Sequence, residues 1–218
     1  MTAERQKLSA FPVFMRVEGR AVLIVGGGDE AFAKARLLAQ SSAVLAIVAE
    51  HVEPDFARWI AEQRLDHAAR PFVADLLEGA ALVFAATGDE ASDREVVEAA
   101  RTLGIPVNAV DRPELCDFYT PALVNRAPVA VAIGTEGAGP VLAQMLRARI
   151  ERMLPPSLGS LAALAAVYRD TVERLLPRGP ARRGFWSAFF SGAPARAVEA
   201  GDLAGARRAV ARLLGAGS

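Results

Sequence analysis

The sequence predicts an α/β fold: a mostly parallel sheet in the first half, a central segment of two strands and a helix, and a helical end. Three observations carry this. Short apolar runs alternate with stretches of helical spacing up to about residue 110. The first run feeds a glycine-rich turn that opens a helix. From residue 155 onward every stretch has helical spacing. Strands alternating with helices need right-handed crossovers, which lay helices on both faces of a parallel sheet.

In chain order, AVLIV (21–25) precedes a helix from about Asp29 to Gln40, whose Ala31, Ala35, Leu38 and Ala39 share a face. VLAIV (44–48) precedes a helix over 53–63 with Pro54 in its first turn. LVFAA (82–86) precedes SDREVVEAARTLG, where Ser92 and Glu95 have capping-box spacing and Gly104 marks the stop. PVNAV (106–110) is the next strand. FYTPALVNR and APVAVAIG then predict two strands around a polar turn, forming either a hairpin or an extension of the sheet. GTEGAGPVLAQMLRARIERML is a glycine-rich turn feeding a helix with Pro140 in its first turn. The expected parts are residues 1–112, 113–153 and 154–218.

Composition narrows the function classes. A chain of 218 residues with 52% hydrophobic content can bury a sizeable core. Its formal net charge of +0 provides no global field to recruit nucleic acid or an anionic membrane. No run reaches the roughly 18 apolar residues that a membrane-spanning helix needs. Cys116 is the single cysteine, so no intrachain disulfide forms, and a cytoplasmic setting is expected. His51 and His67 stand in unrelated contexts, neither spaced with Cys116 as metal ligands are, so no resident metal is expected.

The glycine turn is the first candidate site. VLIVGGGDEA places Gly26, Gly27 and Gly28 between strand and helix, with Asp29 and Ala31 in the helix's first turn. The spacing Gly26-x-Gly28-x-x-Ala31 suits a dinucleotide: the first glycine makes the tight turn, the second admits a pyrophosphate, and the small third residue lets helix and strand pack closely. The free N–H groups and the helix dipole would face the phosphates. A ligand-free βα turn uses the same glycines. Glu50, just past the second strand, is either a ribose partner or a solvated loop residue. No arginine stands there for a 2′-phosphate, which favours NAD over NADP. Ala86, Thr87 and Gly88, after the 82–86 strand, would line the same crevice against adenine or ribose, while Asp89 is a cap or a solvated acid.

VNAVD puts Asn108 and Asp111 at a further strand end on the same edge. Taken alone, Asp111 suits either a turn opened with Arg112-Pro113 or a catalytic carboxylate. The wider sequence, FPVF…GRAVLIVGGGDEAFAKARLL, FAATGD, VNAVDRPELCDFYTPALV, GPVLAQMLRARIE and LPPSLG…RRGFW…FF, resembles the dehydrogenase/ferrochelatase module of siroheme synthase over about residues 11–190. That resemblance implies a Rossmann-like NAD domain, a central dimerisation segment, a helical C-terminal domain and a homodimer. It implies oxidation of the tetrapyrrole precorrin-2 to sirohydrochlorin with NAD⁺, and in many members insertion of Fe²⁺, a substrate, to give siroheme.

Asp111 matches the family's catalytic aspartate, a general base for both steps, which an apolar tetrapyrrole face would desolvate. Arg126, Arg147, Arg149 and Thr135 are candidates to meet the substrate's carboxylates. One departure stands out: the family's Ser/Thr-Gly-Gly-x-Ser-Pro loop here is Thr135-Glu136-Gly137-Ala138-Gly139-Pro140. Glu136 would place an extra acid beside an anionic substrate. Rival classes are a non-catalytic NAD(H)-binding regulatory module, a tetrapyrrole-binding paralogue without turnover, and another small-metabolite oxidoreductase. The last is disfavoured because the chain has no Tyr-x-x-x-Lys pair, its only lysines being Lys7 and Lys34.

Overall fold

The computed structural model describes residues 7–215. The chain forms two compact units: one runs to Thr120 and takes in Gly134–Gly139, and the other comprises Pro121–Ile133 and the chain from Pro140 on.

The first unit is built on five parallel strands, β1 (Ala21–Val25), β2 (Val44–Val48), β3 (Asp66–Ala68), β4 (Leu82–Ala85) and β5 (Val107–Ala109), in the order β3-β2-β1-β4-β5. Helices α1 (Asp29–Leu38), α2 (Pro54–Gln63) and α3 (Glu90–Thr102) connect them. Strand order reverses between β1 and β4, which is where open α/β sheets bind ligands. Alternation along β1 explains the two cores. Val22 and Ile24 pack with Ala31 and Ala35 of α1 and Phe56 and Ile60 of α2. Leu23 and Val25 turn to the other face, with Val96, Val97 and Ala100 of α3. Each fully buried Val, Leu, Ile or Phe side chain among them contributes about 1.5–3 kcal/mol.

Three sequence expectations change in this unit. Strand β3 was not anticipated, because Asp-His-Ala has no apolar alternation; its order comes from pairing with β2 at the sheet's edge. Helix α1 ends at Leu38, two residues before the expected Gln40. Helix α3 starts at Glu90, and its N-cap is Asp89, whose Oδ2 accepts the Ser92 N–H at 2.8 Å; Ser92 is inside the helix. The stop is as expected: the Gly104 and Ile105 N–H groups bond the Arg101 and Ala100 carbonyls, closing the last turn.

In the second unit, β6 (Ala122–Arg126) and β7 (Val129–Ile133) form an antiparallel hairpin of their own. Of the two arrangements open from sequence, this is the hairpin and not an extension of the parallel sheet. Helix α4 (Pro140–Met153) follows, then α5 (Leu158–Leu175), α6 (Pro180–Ser191), α7 (Ala193–Glu199) and α8 (Leu203–Gly215). Phe185 and Phe189 of α6 are buried with Leu161, Leu164, Val198 and Val210, so the aromatic cluster anchors the terminal helices. Among the described residues, no helix is long and apolar enough to cross a membrane.

Candidate active site

The site edge follows from register. Val25 is paired with both Val48 and Ala85, and Ala85 with Ala109. The ladder runs one residue further through Gly26 N–H to Val48 O, Ala86 N–H to Val25 O and Val110 N–H to Ala85 O. The glycine turn, the 86–89 loop and Asp111 therefore leave the sheet at one edge. At the usual strand spacing, β1 and β5 stand about 10 Å apart across β4.

The three glycines differ in what they need. Gly26 has φ 137°, and a Cβ there would lie 1.9 Å from the Ala86 oxygen. A Cβ on Gly27 would lie 1.9 Å from the His51 oxygen. Both positions are filled by the protein itself. Gly28 has an ordinary φ of −92°, and a Cβ there would meet nothing within 4 Å. Its bareness leaves open space at the α1 N-terminus, where the first-turn N–H groups lack intrahelical acceptors, and this fits a dinucleotide diphosphate. Ala31 is fully buried against the sheet. Asp29 is exposed in the first turn, and Glu30 Oε2 is buried there without a hydrogen-bond partner.

The remaining cofactor candidates divide. Glu50 is exposed just past β2. Gly88, at φ 80°, has open space around it. Ala86 is buried in the core. Thr87 gives both its N–H (3.0 Å) and its hydroxyl (2.8 Å) to Asp93 Oδ1, so its side chain serves its own loop. Asn108 is buried, and its amide donates to Phe118 O at 2.8 Å and Cys116 Sγ at 3.2 Å, bracing the loop after β5. Cys116 Sγ in turn donates to the Ala109 and Arg112 carbonyls. Burial pushes its thiol pKa up, which disfavours the thiolate a nucleophile would need.

Asp111 is exposed at the β5 exit with φ 59°. A left-handed backbone at a residue with a Cβ costs free energy and is found disproportionately where geometry serves function. Sequence reasoning missed what surrounds it. Asp93 of α3, completely buried, takes Thr87 on one oxygen and forms an ion pair with Arg112 on the other. The signal was present: an acid in helical register with the buried Val96, Val97 and Ala100.

The arginine candidates belong to the second unit. Arg126 donates to the carbonyls of Asn125, Glu151 and Leu154 and to Glu151 Oε1, so its guanidinium caps α4. Arg147 bonds Leu123 O and pairs with Glu151 Oε2. Arg149 is exposed. In the first unit, the Thr135 carbonyl accepts the Ala138 N–H. The unexpected Glu136 holds the N–H groups of Ser9 (2.7 Å) and Ala10 (2.8 Å). Those bonds, led by Ala10, lower the Glu136 pKa, so its charge is already compensated from within the unit. Among the described residues, no cluster of three or more His, Cys, Asp or Glu could hold a metal ion.

A family model described as putative NAD(P)-binding matches residues 13–122. Models for the sirohaem biosynthesis protein central region and the sirohaem synthase dimerisation region follow in order at 126–153 and 157–214. The chain belongs to the siroheme synthase N-terminal family. It is 41% identical over 207 residues to siroheme synthase of Methylobacillus flagellatus, which is 95% of this chain and 44% of that protein. To the Azotobacter vinelandii siroheme synthase it is 43% identical over 206 residues, again 44% of the relative. The chain thus spans less than half the length of these relatives. Among solved structures, SirC, a precorrin-2 dehydrogenase, superposes with TM-score 0.79 at 20% identity, covering 94% of this chain and 98% of that one. At that identity the likeness speaks to the fold alone.

Proposed function

We propose that the chain oxidises precorrin-2 to sirohydrochlorin in siroheme biosynthesis, with NAD⁺ as the hydride acceptor. The observation that carries this is the exposed Asp111 carboxylate, held left-handed at the end of β5 on the edge that also bears the glycine turn. Relatives that carry the name siroheme synthase and the fold shared with SirC support it.

Bound NAD⁺ supplies an electrophilic nicotinamide that accepts the hydride. The α1 N-terminus and the space above Gly28 would hold its diphosphate, and Gly88 and Glu50 would contact its nucleoside part. Removal of hydride leaves a proton on the tetrapyrrole, and Asp111 accepts it. An apolar macrocycle lying over this exposed carboxylate would exclude water from the proton transfer. The same base would take pyrrole protons if Fe²⁺ is inserted afterwards, with iron as substrate. Thr135, Arg147 and Arg149 are offered as donors to the substrate's carboxylates, each to be judged by its own variant. A homodimer, a cytoplasmic setting and the division at 112 and 153 belong to the same proposal.

Asp111→Asn tests it, because Asn tolerates the left-handed region and keeps the side-chain shape. In an anaerobic assay with precorrin-2 and NAD⁺, the variant loses at least about a hundredfold in kcat, within the range of general acid–base effects. Its NADH affinity and Tm stay at wild-type values. Undiminished oxidation by Asp111→Asn removes the base from this position. A wild-type chain that binds NADH without oxidising precorrin-2 points to a binding module.

A further inference from the structure

Asp93 and Asn108 are the polar side chains buried among the described residues, and the mechanism above uses neither. Asn108 braces its own loop. Asp93 joins two. Its Oδ1 accepts the Thr87 N–H at 3.0 Å and the Thr87 hydroxyl at 2.8 Å, which fixes the turn after β4 beside Gly88. Its Oδ2 accepts from Arg112 Nη1. The same Nη1 lies 3.3 Å from the Val110 carbonyl, so one guanidinium nitrogen ties the residue before Asp111 to the residue after it. The Arg112 N–H closes the turn on Ala109 O at 3.2 Å. The left-handed residue at 111 thus sits inside this bracket.

We propose that Asp93 is a positioning residue for the oxidation: one carboxylate sets the nucleotide-side loop at Thr87 and, through Arg112, the turn that aims Asp111. This rests on Asp111 being the base. A buried carboxylate between two loops costs desolvation, which a hydrophobic residue on the helix's sheet-facing stripe would avoid. Its pairing compensates that cost, and the geometry it imposes falls on the two loops where hydride donor and acceptor would meet. The carboxylate also keeps the Arg112 charge occupied. With Asp93 neutral, that guanidinium becomes a competing partner for the adjacent Asp111.

The test separates the two arms. Asp93→Asn is expected to lower kcat by about ten- to a hundredfold, the scale of a misplaced reacting group. Precorrin-2 KM should change less than threefold, and NADH should bind at least threefold more weakly. Arg112→Gln cuts only the Asp111 arm: kcat falls while NADH affinity stays within twofold. Thr87→Val removes the hydroxyl bond of the other arm and leaves its N–H bond, so NADH binding weakens while kcat holds. In the double variant Asp93→Asn/Arg112→Gln kcat should fall little further than in Asp93→Asn, because both changes break the same pair, whereas two independent destabilising changes would add. If Asp93→Asn fails to fold, the split between Arg112→Gln and Thr87→Val decides. Full kcat in folded Asp93→Asn or in Arg112→Gln overturns the proposal, as does a double variant in which the two kcat losses simply add. Should the wild type itself not oxidise precorrin-2, the functional reading fails, and NADH affinity alone judges Asp93: a loss in Asp93→Asn supports its hold on the nucleotide loop, and none removes it.

Discussion

Gly28 separates what the fold requires from what a ligand requires. Gly26 and Gly27 are glycines because the Ala86 and His51 carbonyls occupy the space where a side chain would go. Gly28, the N-cap of α1, has neither a special φ nor a neighbour, so the fold leaves room for a Cβ that a bound diphosphate would exclude. Gly28→Ala should therefore leave the Tm within about 2 °C of wild type, or raise it slightly by restricting the unfolded chain. NADH affinity should drop at least about tenfold, since backbone approach to the diphosphate is lost. Gly26→Ala should instead fail to give soluble folded protein. Calorimetry and NADH fluorescence titration of the two variants check this pair, and equal NADH binding by Gly28→Ala would move the diphosphate elsewhere.

At the scale of elements, the sequence disclosed whatever depends on period and failed where order comes from a partner. Strands β1, β2 and β4 are apolar runs largely buried on both faces, so composition alone marks them, and β5 is read from the flanking apolar residues of PVNAV. Strand β3 exists only because β2 offers an open edge, and no pattern within Asp66–Ala68 could reveal it. Side-chain destinations were equally hidden. Asn108 stands where a cofactor contact was expected, yet its amide bonds Cys116 and Phe118, which only the folded 116–118 loop brings near. Asp111 was legible as a strand-end acid, whereas its left-handed backbone and the Asp93–Arg112 bracket were not. Arg126 sits on a strand but works on a helix, meeting the Glu151 and Leu154 carbonyls at the end of α4. Arg126→Met should therefore lower stability by about 1–3 kcal/mol, because it strands those partly buried acceptors. Arg126→Lys should recover little, since one ammonium cannot serve several acceptors held in a fork. Thermal unfolding of both variants tests the capping role, and an unchanged Tm in Arg126→Met would return this arginine to the list of substrate donors.

At the scale of the whole molecule, the chain leaves the first unit after Thr120 and returns to it for Gly134–Gly139. Within that returning loop, Glu136 at φ 50° fastens the N–H groups of Ser9 and Ala10. The acid that looked like a defect in an anion-binding loop is thus the anchor for the segment leading into β1. The sign of its pH dependence follows from the lowered pKa of the folded state, caused first by the Ala10 N–H and then by Ser9. A carboxylate whose pKa is depressed by folding contributes stability above its unfolded value, 4.5, and loses it as pH falls through the lower folded value. The amide proton shifts of Ser9 and Ala10 should hence titrate together with a midpoint below 4.5, both N–H groups reporting one carboxylate. In Glu136→Gln that titration should vanish, and at neutral pH the two amides should exchange faster, because a neutral amide oxygen is a weaker acceptor than a carboxylate. NADH affinity should be unaffected, since the anchor touches neither the glycine turn nor the 86–89 loop. Ser9 and Ala10 shifts that ignore pH in the wild type, or that titrate unchanged in Glu136→Gln, would detach the loop from the N-terminal segment and restore Glu136 as a free charge facing the substrate.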